Sequence, residues 1–203
     1  IVPGPDGGVY EFRDIPVPTP EPGEVLVAVR AAGTNRGELL ARPLLRSSNP
    51  ALKPMRTGIE FAGEIVALGQ GVSGWTPGDR IMARGTGYAE YAVVSHRALM
   101  RIPGNMSWAE AAAIPNVFVT AHDAIVSAAA VKAGESVLIT AGASGVGTAA
   151  IQIALEKIVA GRRAPVETAI TPTAIDVNLR DRLRSLRADV AAEPEPRPHV
   201  LSL

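Results

Sequence analysis

Apolar positions in the first hundred residues form short runs separated by glycine and proline. Residues 1–23 are rich in both, and a proline at every second position from Ile15 to Pro20 excludes a helix there. The pattern then predicts a short helical turn over 35–42, an irregular loop over 46–56, and five strands over 25–33, 58–69, 81–83, 88–94 and 98–102. Many short strands between such turns are typical of a compact, barrel-like β domain.

The hydrophobic period changes after residue 106. Ser107 and Glu110 have the spacing of a capping box and predict a helix over 109–114, which Pro115 should close. A second helix is predicted over 120–130, and an apolar strand begins at Ser136. We therefore expect a β domain over 1–106, an α/β domain over 107–190 with an amphipathic helix at 180–190, and a proline-rich, disordered tail over 191–203.

Residues 137–154 read VLITAGASGVGTAAIQIA, an apolar β-branched run followed by a glycine turn and an apolar helix pattern. This is the order of a dinucleotide-binding unit, in which backbone N–H groups and a helix N-terminus meet a pyrophosphate. In the G-x-G-x-x-G spacing a serine takes the middle place, and its hydroxyl adds a donor. A tight turn without a ligand is the alternative. The predicted cofactor-binding residues of the turn are Gly142, Ala143, Ser144, Gly145, Val146 and Gly147.

Composition excludes several classes of function. The 203 residues include 20 Lys+Arg and 20 Asp+Glu, so the zero net charge gives no electrostatic case for nucleic acid or an acidic membrane surface. No cysteine is present, and the three histidines lie far apart, so no metal site is predicted. The uncharged stretch around the glycine turn is long enough for a membrane span, but its glycines and polar residues argue against one. No signal peptide is visible, which makes a cytoplasmic location the default expectation.

Five stretches resemble the zinc-independent, zeta-crystallin-like quinone oxidoreductases of the medium-chain dehydrogenase/reductase family. In the family's order they are PGEVLVAVRAAGTNRGELL (22–40), GIEFAGEIVALGQGVSGWTPGDRIMA (58–83), GYAEYAVV (87–94), AAAIPNVFVTAHDAI (111–125) and GESVLITAGASGVGTAAIQIA (134–154). The resemblance implies a GroES-like β-barrel catalytic domain followed by a Rossmann domain, an α/β-plus-β architecture. After Leu155 only 183–190 resembles the family, so the Rossmann domain is expected to be incomplete, as in a truncated or frame-shifted reading of a longer gene.

The same resemblance implies roles for two polar residues. Asn35 resembles the asparagine that the family places beside the nicotinamide, and it is our candidate catalytic residue. Thr120 resembles a threonine that contacts the nicotinamide-side phosphate or ribose. A turn-forming role for Asn35 and a helix N-terminal hydroxyl for Thr120 stay open. Leu40 stands where the family often has a tyrosine.

Other polar residues have less defined expectations. Glu60 lies in an apolar strand, either as a functional carboxylate or in a structural ion pair, and His122 is either an acid or structural. Tyr88 and Tyr91 are expected to be core or surface residues of a strand. Three residues lie where the adenosine ribose of the cofactor would be contacted, namely Arg162, Arg163 and Glu167.

The function that the resemblance implies is hydride transfer from NADPH, or NADH, to a quinone without a metal ion. Reduction of a conjugated C=C by an enoyl or 2-alkenal reductase is the first alternative, and a fragment that binds nucleotide without catalysis is the second. No strong general acid is evident, which suits quinone reduction because solvent can protonate the product. The expected ligand is a small quinone or enone, and a homodimer is possible.

Overall fold

The computed structural model describes residues 1–39, 46, 49, 52–159 and 199–201 of the chain. The chain divides into two compact units, Ile1–Asn116 and Val117–Leu203. The boundary between these units lies later than the domain boundary that we predicted after residue 106. None of the helices in the described ranges is both long and apolar enough to cross a membrane.

An antiparallel sheet of five strands forms the centre of the first unit. The strands lie in the order β4-β1-β2-β3-β5, with bounds β1 (Glu24–Ala32), β2 (Glu60–Leu68), β3 (Arg80–Arg84), β4 (Tyr91–Ser95) and β5 (Met100–Arg101). Val27 of β1 pairs with Ile65 on one side and with Ala92 on the other. The periodicity of the sequence therefore predicted all five strands, and the bounds differ by a few residues.

Alternate residues of the sheet enter two separate cores. Phe61 and Ile65 of β2 lie in one core with Ile81 of β3, whereas the intervening Ala62 and Met82 lie in the other. The second core includes helix α1 (Trp108–Ala112). The predicted capping box at the start of α1 is confirmed, since the Glu110 N–H donates to Ser107 Oγ and the Ser107 N–H donates to Glu110 Oε2.

Pro115 begins a helix instead of ending one, so our prediction there was wrong. Helix α1 ends at Ala112, and α2 (Pro115–His122) starts at the proline. The first N–H groups of a helix have no partner within it, so a proline at that position loses nothing. The second helix therefore starts before the predicted residue 120, and Asp123–Ala128 continue it as a π-helical turn.

The second unit contains the predicted strand–turn–helix. Strand β6 (Val137–Ile139) leads through the glycine turn to helix α3 (Gly145–Val159), which begins inside the predicted turn. Strand β7 (His199–Leu201) pairs in parallel with β6. These three residues belong to the tail that we predicted to be disordered, and the helix predicted over 180–190 lies outside the described residues. The core of this unit is formed by Ala121, Ile125, Val131, Ala149, Ala150 and Ala154.

Candidate functional site

Asn35 lies between the end of β1 and a helical segment over 36–39. Its backbone N–H donates to Glu38 Oε2 at 2.8 Å, the return hydrogen bond of a capping box. The Tyr88 hydroxyl donates to the same oxygen at 2.8 Å. Glu38 is buried, and its backbone carbonyl accepts a hydrogen bond from the Tyr10 hydroxyl at 3.3 Å. One carboxylate oxygen thus joins the backbone of Asn35 to the hydroxyl of Tyr88.

The side-chain amide of Asn35 is held by two further residues. Its Nδ2 donates to Glu60 Oε1 at 2.8 Å, and its Oδ1 accepts from Asn116 Nδ2 at 2.9 Å. The backbone N–H of Asn116 donates to the other oxygen of Glu60, also at 2.8 Å. Asn35, Glu60 and Asn116 therefore form a closed ring of hydrogen bonds. Asn35 does begin a turn, as its alternative role required, but its side chain is also committed to this ring.

Glu60 is satisfied by neutral donors. Its side chain is almost completely buried, with 2% relative exposure. Among the described residues it has no cationic partner, so the ion pair that we considered is wrong, and amide N–H groups satisfy the carboxylate instead. Gly33 makes room for it, since a Cβ at that position would collide with Glu60 Oε1 and lie 2.7 Å from the Ala112 carbonyl oxygen.

Tyr88 does not lie in a strand, contrary to prediction. It precedes β4, and its backbone N–H donates to the carbonyl of Thr57 at 3.1 Å, where the two segments cross. Burial first, and then the hydrogen bond to Glu38 and its charge, raise the pKa of Tyr88 above the ordinary value. The hydroxyl therefore remains a donor at neutral pH. Tyr91 is the first residue of β4 and is partly exposed.

Glu38 and Asn116 are the two members of this cluster that we did not predict from the sequence. The spacing Asn35-x-x-Glu38 is a capping-box signal and could have identified Glu38. No local signal marks Asn116, which is far from Asn35 along the chain. Asn35, Glu38 and Tyr88 also line one open cleft of the first unit.

Ser144 caps helix α3 in the second unit. Its Oγ accepts the N–H of Gly147 at 3.0 Å, and its carbonyl accepts the N–H of Thr148 at 2.8 Å. The hydroxyl hydrogen of Ser144 stays available for an acceptor. The N–H groups of Gly145 and Val146, at the positive end of the helix dipole, have no acceptor in the part of the chain that the structure describes.

Gly147 allows close packing between the strand end and the helix, as predicted. A Cβ at this position would collide with the Ala141 carbonyl oxygen and stand 2.8 Å from Gly142 Cα. Ala143, Ser144 and Gly145 are exposed and small, so within the described residues their side chains leave the start of helix α3 open. Small exposed side chains at a helix N-terminus fit a pyrophosphate.

Thr120 and His122 lie on helix α2. Thr120 is exposed in the interior of α2, so the alternative of a helix N-terminal hydroxyl is wrong, because the helix begins at Pro115. His122 is exposed at the end of α2. No group of three His, Cys, Asp or Glu side chains able to hold a metal occurs among the described residues. Four candidates lie outside the described residues, namely Leu40, Arg162, Arg163 and Glu167.

Known proteins resemble both units. Residues 21–120 match the alcohol dehydrogenase GroES-like domain. Quinone oxidoreductase of Homo sapiens is 40% identical over 144 residues, which cover 70% of this chain and 44% of that protein. The crystal structure of CurK enoyl reductase superimposes with a TM-score of 0.67 at 32% identity, covering 73% of this chain and 47% of that chain.

A third relative carries a bound nucleotide. The structure of mycobacterial Rv1454c complexed with NADPH has a TM-score of 0.64 and 30% identity, and the match covers 72% of this chain and 45% of that one. The fold is thus a GroES-like β domain followed by the strand, glycine turn and helix of a Rossmann α/β domain. The chain belongs to the medium-chain dehydrogenase/reductase family. It spans less than half the length of these three relatives.

Proposed function

We propose that this chain acts as an NADPH-dependent reductase that transfers hydride to a quinone without a metal ion. The observation that carries the proposal is the turn before α3, where Ser144 caps the helix and, among the described residues, the N–H groups of Gly145 and Val146 have no acceptor. When bound, a reduced nicotinamide supplies the hydride. The residues that would hold the cofactor are Thr120, Gly142, Ala143, Ser144, Gly145, Val146 and Gly147. NADPH rather than NADH is favoured by the nucleotide bound to the mycobacterial relative.

The first unit would contribute Asn35, whose amide can hydrogen-bond an oxygen of the substrate. Glu60 and Asn116 hold this amide in place, and Glu38 holds its backbone. Tyr88 is a poor source of a proton for the product, because its raised pKa and its bond to Glu38 keep the hydroxyl protonated. Reduction of a quinone needs no protein acid, since water can protonate the product oxygen. The similarity to human quinone oxidoreductase supports this choice.

Reduction of a conjugated C=C is the second candidate. It is favoured by the structural similarity to CurK enoyl reductase, which has a higher TM-score than the mycobacterial NADPH complex. This reaction ends with a proton on carbon, and the cluster around Asn35 offers no free acid for that step among the described residues. We therefore rank it below quinone reduction.

Stopped-flow measurement of NADPH oxidation tests the proposal. The purified chain is mixed with NADPH and either a quinone or an enone, with NADH and a chelator-treated sample as controls. Faster oxidation with the quinone, unchanged by the chelator, supports the proposal. Faster oxidation with the enone favours the second candidate. Nucleotide binding without oxidation of NADPH by either acceptor indicates a non-catalytic fragment.

A further inference from the structure

We propose that Glu60 fixes the orientation of the Asn35 amide so that Asn35 presents a hydrogen-bond donor to a carbonyl oxygen of the substrate. This inference rests on the proposed function, because it names the chemical group that the first unit recognises. Glu60 would be a positioning residue, since it is almost completely buried and acts through Asn35.

The orientation follows from which atoms can donate. An ionised carboxylate has only acceptors, and both oxygens of Glu60 already face donors, Asn35 Nδ2 and the Asn116 backbone N–H. Rotating the Asn35 amide by half a turn would place its Oδ1 against Glu60 Oε1. Two acceptors would then be in contact with no hydrogen between them, beside a carboxylate that is almost completely buried.

Asn116 provides a second constraint on the same amide. Its Nδ2 donates to Asn35 Oδ1 while its backbone N–H donates to Glu60, so the three residues close a ring. Rotation of Asn35 would break two hydrogen bonds of this ring at once. The carboxylate of Glu60 can only accept, so it fixes which amide atom of Asn35 is the nitrogen. The oxygen of Asn35 then fixes which amide atom of Asn116 is the nitrogen.

One hydrogen on Asn35 remains for a ligand. Nδ2 carries two hydrogens, and among the described residues only one of them has a partner. Asn35 is partly exposed and lines the cleft of the first unit. The group presented to a ligand is therefore an N–H donor, which matches a carbonyl oxygen.

A donor in this place helps the reaction because charge develops on that oxygen. A quinone that accepts a hydride becomes the anion of its hydroquinone, and the negative oxygen then takes one proton from water. A fixed N–H donor stabilises the oxygen more strongly in the anion-like transition state than in the neutral quinone. The same donor would suit the carbonyl oxygen of an enone, so the inference does not depend on which acceptor is preferred.

Glu60→Gln is the variant that tests this orientation. Glutamine has the same length but both a donor and an acceptor, so it no longer forces Nδ2 of Asn35 towards it. We expect kcat with a quinone to fall about tenfold, less than for full removal of an oxyanion donor, while the Kd for NADPH stays within about twofold. Asn35→Asp, which has no donor, should lower kcat about a hundredfold.

Glu64→Gln is the matched control. Glu64 lies on the same strand and is partly exposed, and its one ion pair within the described residues is a long contact of 3.8 Å with Arg30. Both kcat and the Kd for NADPH should equal the unsubstituted values. Fluorescence of Trp75 and Trp108, the two tryptophans of the chain, reports whether the first unit of each variant is folded.

A direct readout does not require turnover. The side-chain amide of Asn35 is observed by ¹⁵N NMR and assigned by its absence in Asn35→Asp. A benzoquinone is added without NADPH, and the chain has no thiol that could react with it. We expect the free N–H signal of Nδ2 to shift on titration, and this shift to be reduced in Glu60→Gln.

The results separate this inference from the proposed function. Unchanged kcat and the same amide shift in Glu60→Gln would overturn the inference while leaving the reductase intact. An unsubstituted chain that never oxidises NADPH would refute the proposed function, and the NMR titration would still decide the orientation of Asn35. If Glu60→Gln does not fold, the unsubstituted protein decides the question, because the absence of any Nδ2 shift with the quinone contradicts the proposal.

Discussion

The two units present their polar groups in different ways. In the second unit the groups are backbone N–H donors of one continuous segment, fixed by the Ser144 cap and the contact at Gly147. In the first unit they are side chains brought together from distant segments, with Asn35 bonded to Glu60 and Asn116. A backbone site needs small residues at set spacings, whereas a side-chain site needs the whole sheet to be in place. We therefore expect substitutions in the backbone site and in the side-chain site to have different effects on stability and binding.

Removal of the Glu60 carboxylate should have the largest effect. Glu60→Ala removes the acceptor of the half-buried Asn35 Nδ2 and Asn116 N–H, and we expect a loss of about 3 kcal/mol of unfolding free energy. Urea unfolding followed by tryptophan fluorescence measures it, because both tryptophans lie in the first unit. The partly exposed Glu64→Ala should cost about 0.5 kcal/mol or less. Equal losses of unfolding free energy in Glu60→Ala and Glu64→Ala would show that the ring of hydrogen bonds does not stabilise the first unit.

A side chain at Gly147 should disturb the backbone site most. Gly147→Ala places a methyl group against the Ala141 carbonyl and Gly142, and we expect a loss of about 2 kcal/mol in the second unit. Hydrogen exchange of the α3 amides measures this loss, since this unit has no tryptophan. Gly145→Ala is the control, because its methyl group would meet only a Val117 methyl group at 3.0 Å. Slower exchange in Gly147→Ala than in Gly145→Ala would contradict the packing described.

Two serine caps allow a closer comparison. Ser144→Ala and Ser107→Ala each remove an N-cap, so each should cost about 1 kcal/mol of stability. Only Ser144 belongs to the predicted cofactor site, and so only Ser144→Ala should also weaken NADPH binding, by about tenfold. Both quantities come from denaturation and calorimetry on the same samples. Equal NADPH affinities in the two variants would show that Ser144 caps helix α3 without contributing to NADPH binding.

The smallest effect concerns Tyr88 and pH. Because burial and then Glu38 raise the pKa of Tyr88, the folded hydroxyl keeps its proton at a pH where the unfolded one has lost it. Stability from this group is complete below the ordinary tyrosine pKa of about 10 and decreases as pH rises above it. Tyr88→Phe should remove that decrease, which unfolding experiments at several alkaline pH values will show. In an ultraviolet titration the pKa of Tyr88 should lie above the ordinary tyrosine value of about 10, and ionisation of Tyr88 at that value would contradict the contact with Glu38.

The sequence correctly predicted the elements whose structure depends on residues close together along the chain. Short apolar runs between glycine and proline turns predicted the five strands, and the spacing Ser107-x-x-Glu110 predicted the start of α1. Gly147 was predicted for its close packing because the dinucleotide turn depends on residues next to one another. Each of these depends on interactions within a few residues, which a pattern can encode.

The predictions that were wrong depend on contacts from elsewhere. Pro115 is compatible with either end of a helix by local rules, and only the positions of α1 and α2 decide between them. Tyr88 has the pattern of a strand, but Thr57 holds its backbone N–H and Glu38 its hydroxyl. The neutral partners of Glu60 come from two distant segments, so no spacing could have distinguished them from an ion pair.

Calorimetric titration of the chain with NADPH tests the central claim most directly. The account predicts a saturable heat for one site per chain, with the affinity reduced at least about tenfold in Gly147→Ala and unchanged in Glu60→Gln. NADH should bind more weakly than NADPH. The absence of binding heat at millimolar NADPH in a folded sample would contradict the assignment of the glycine turn as a dinucleotide site.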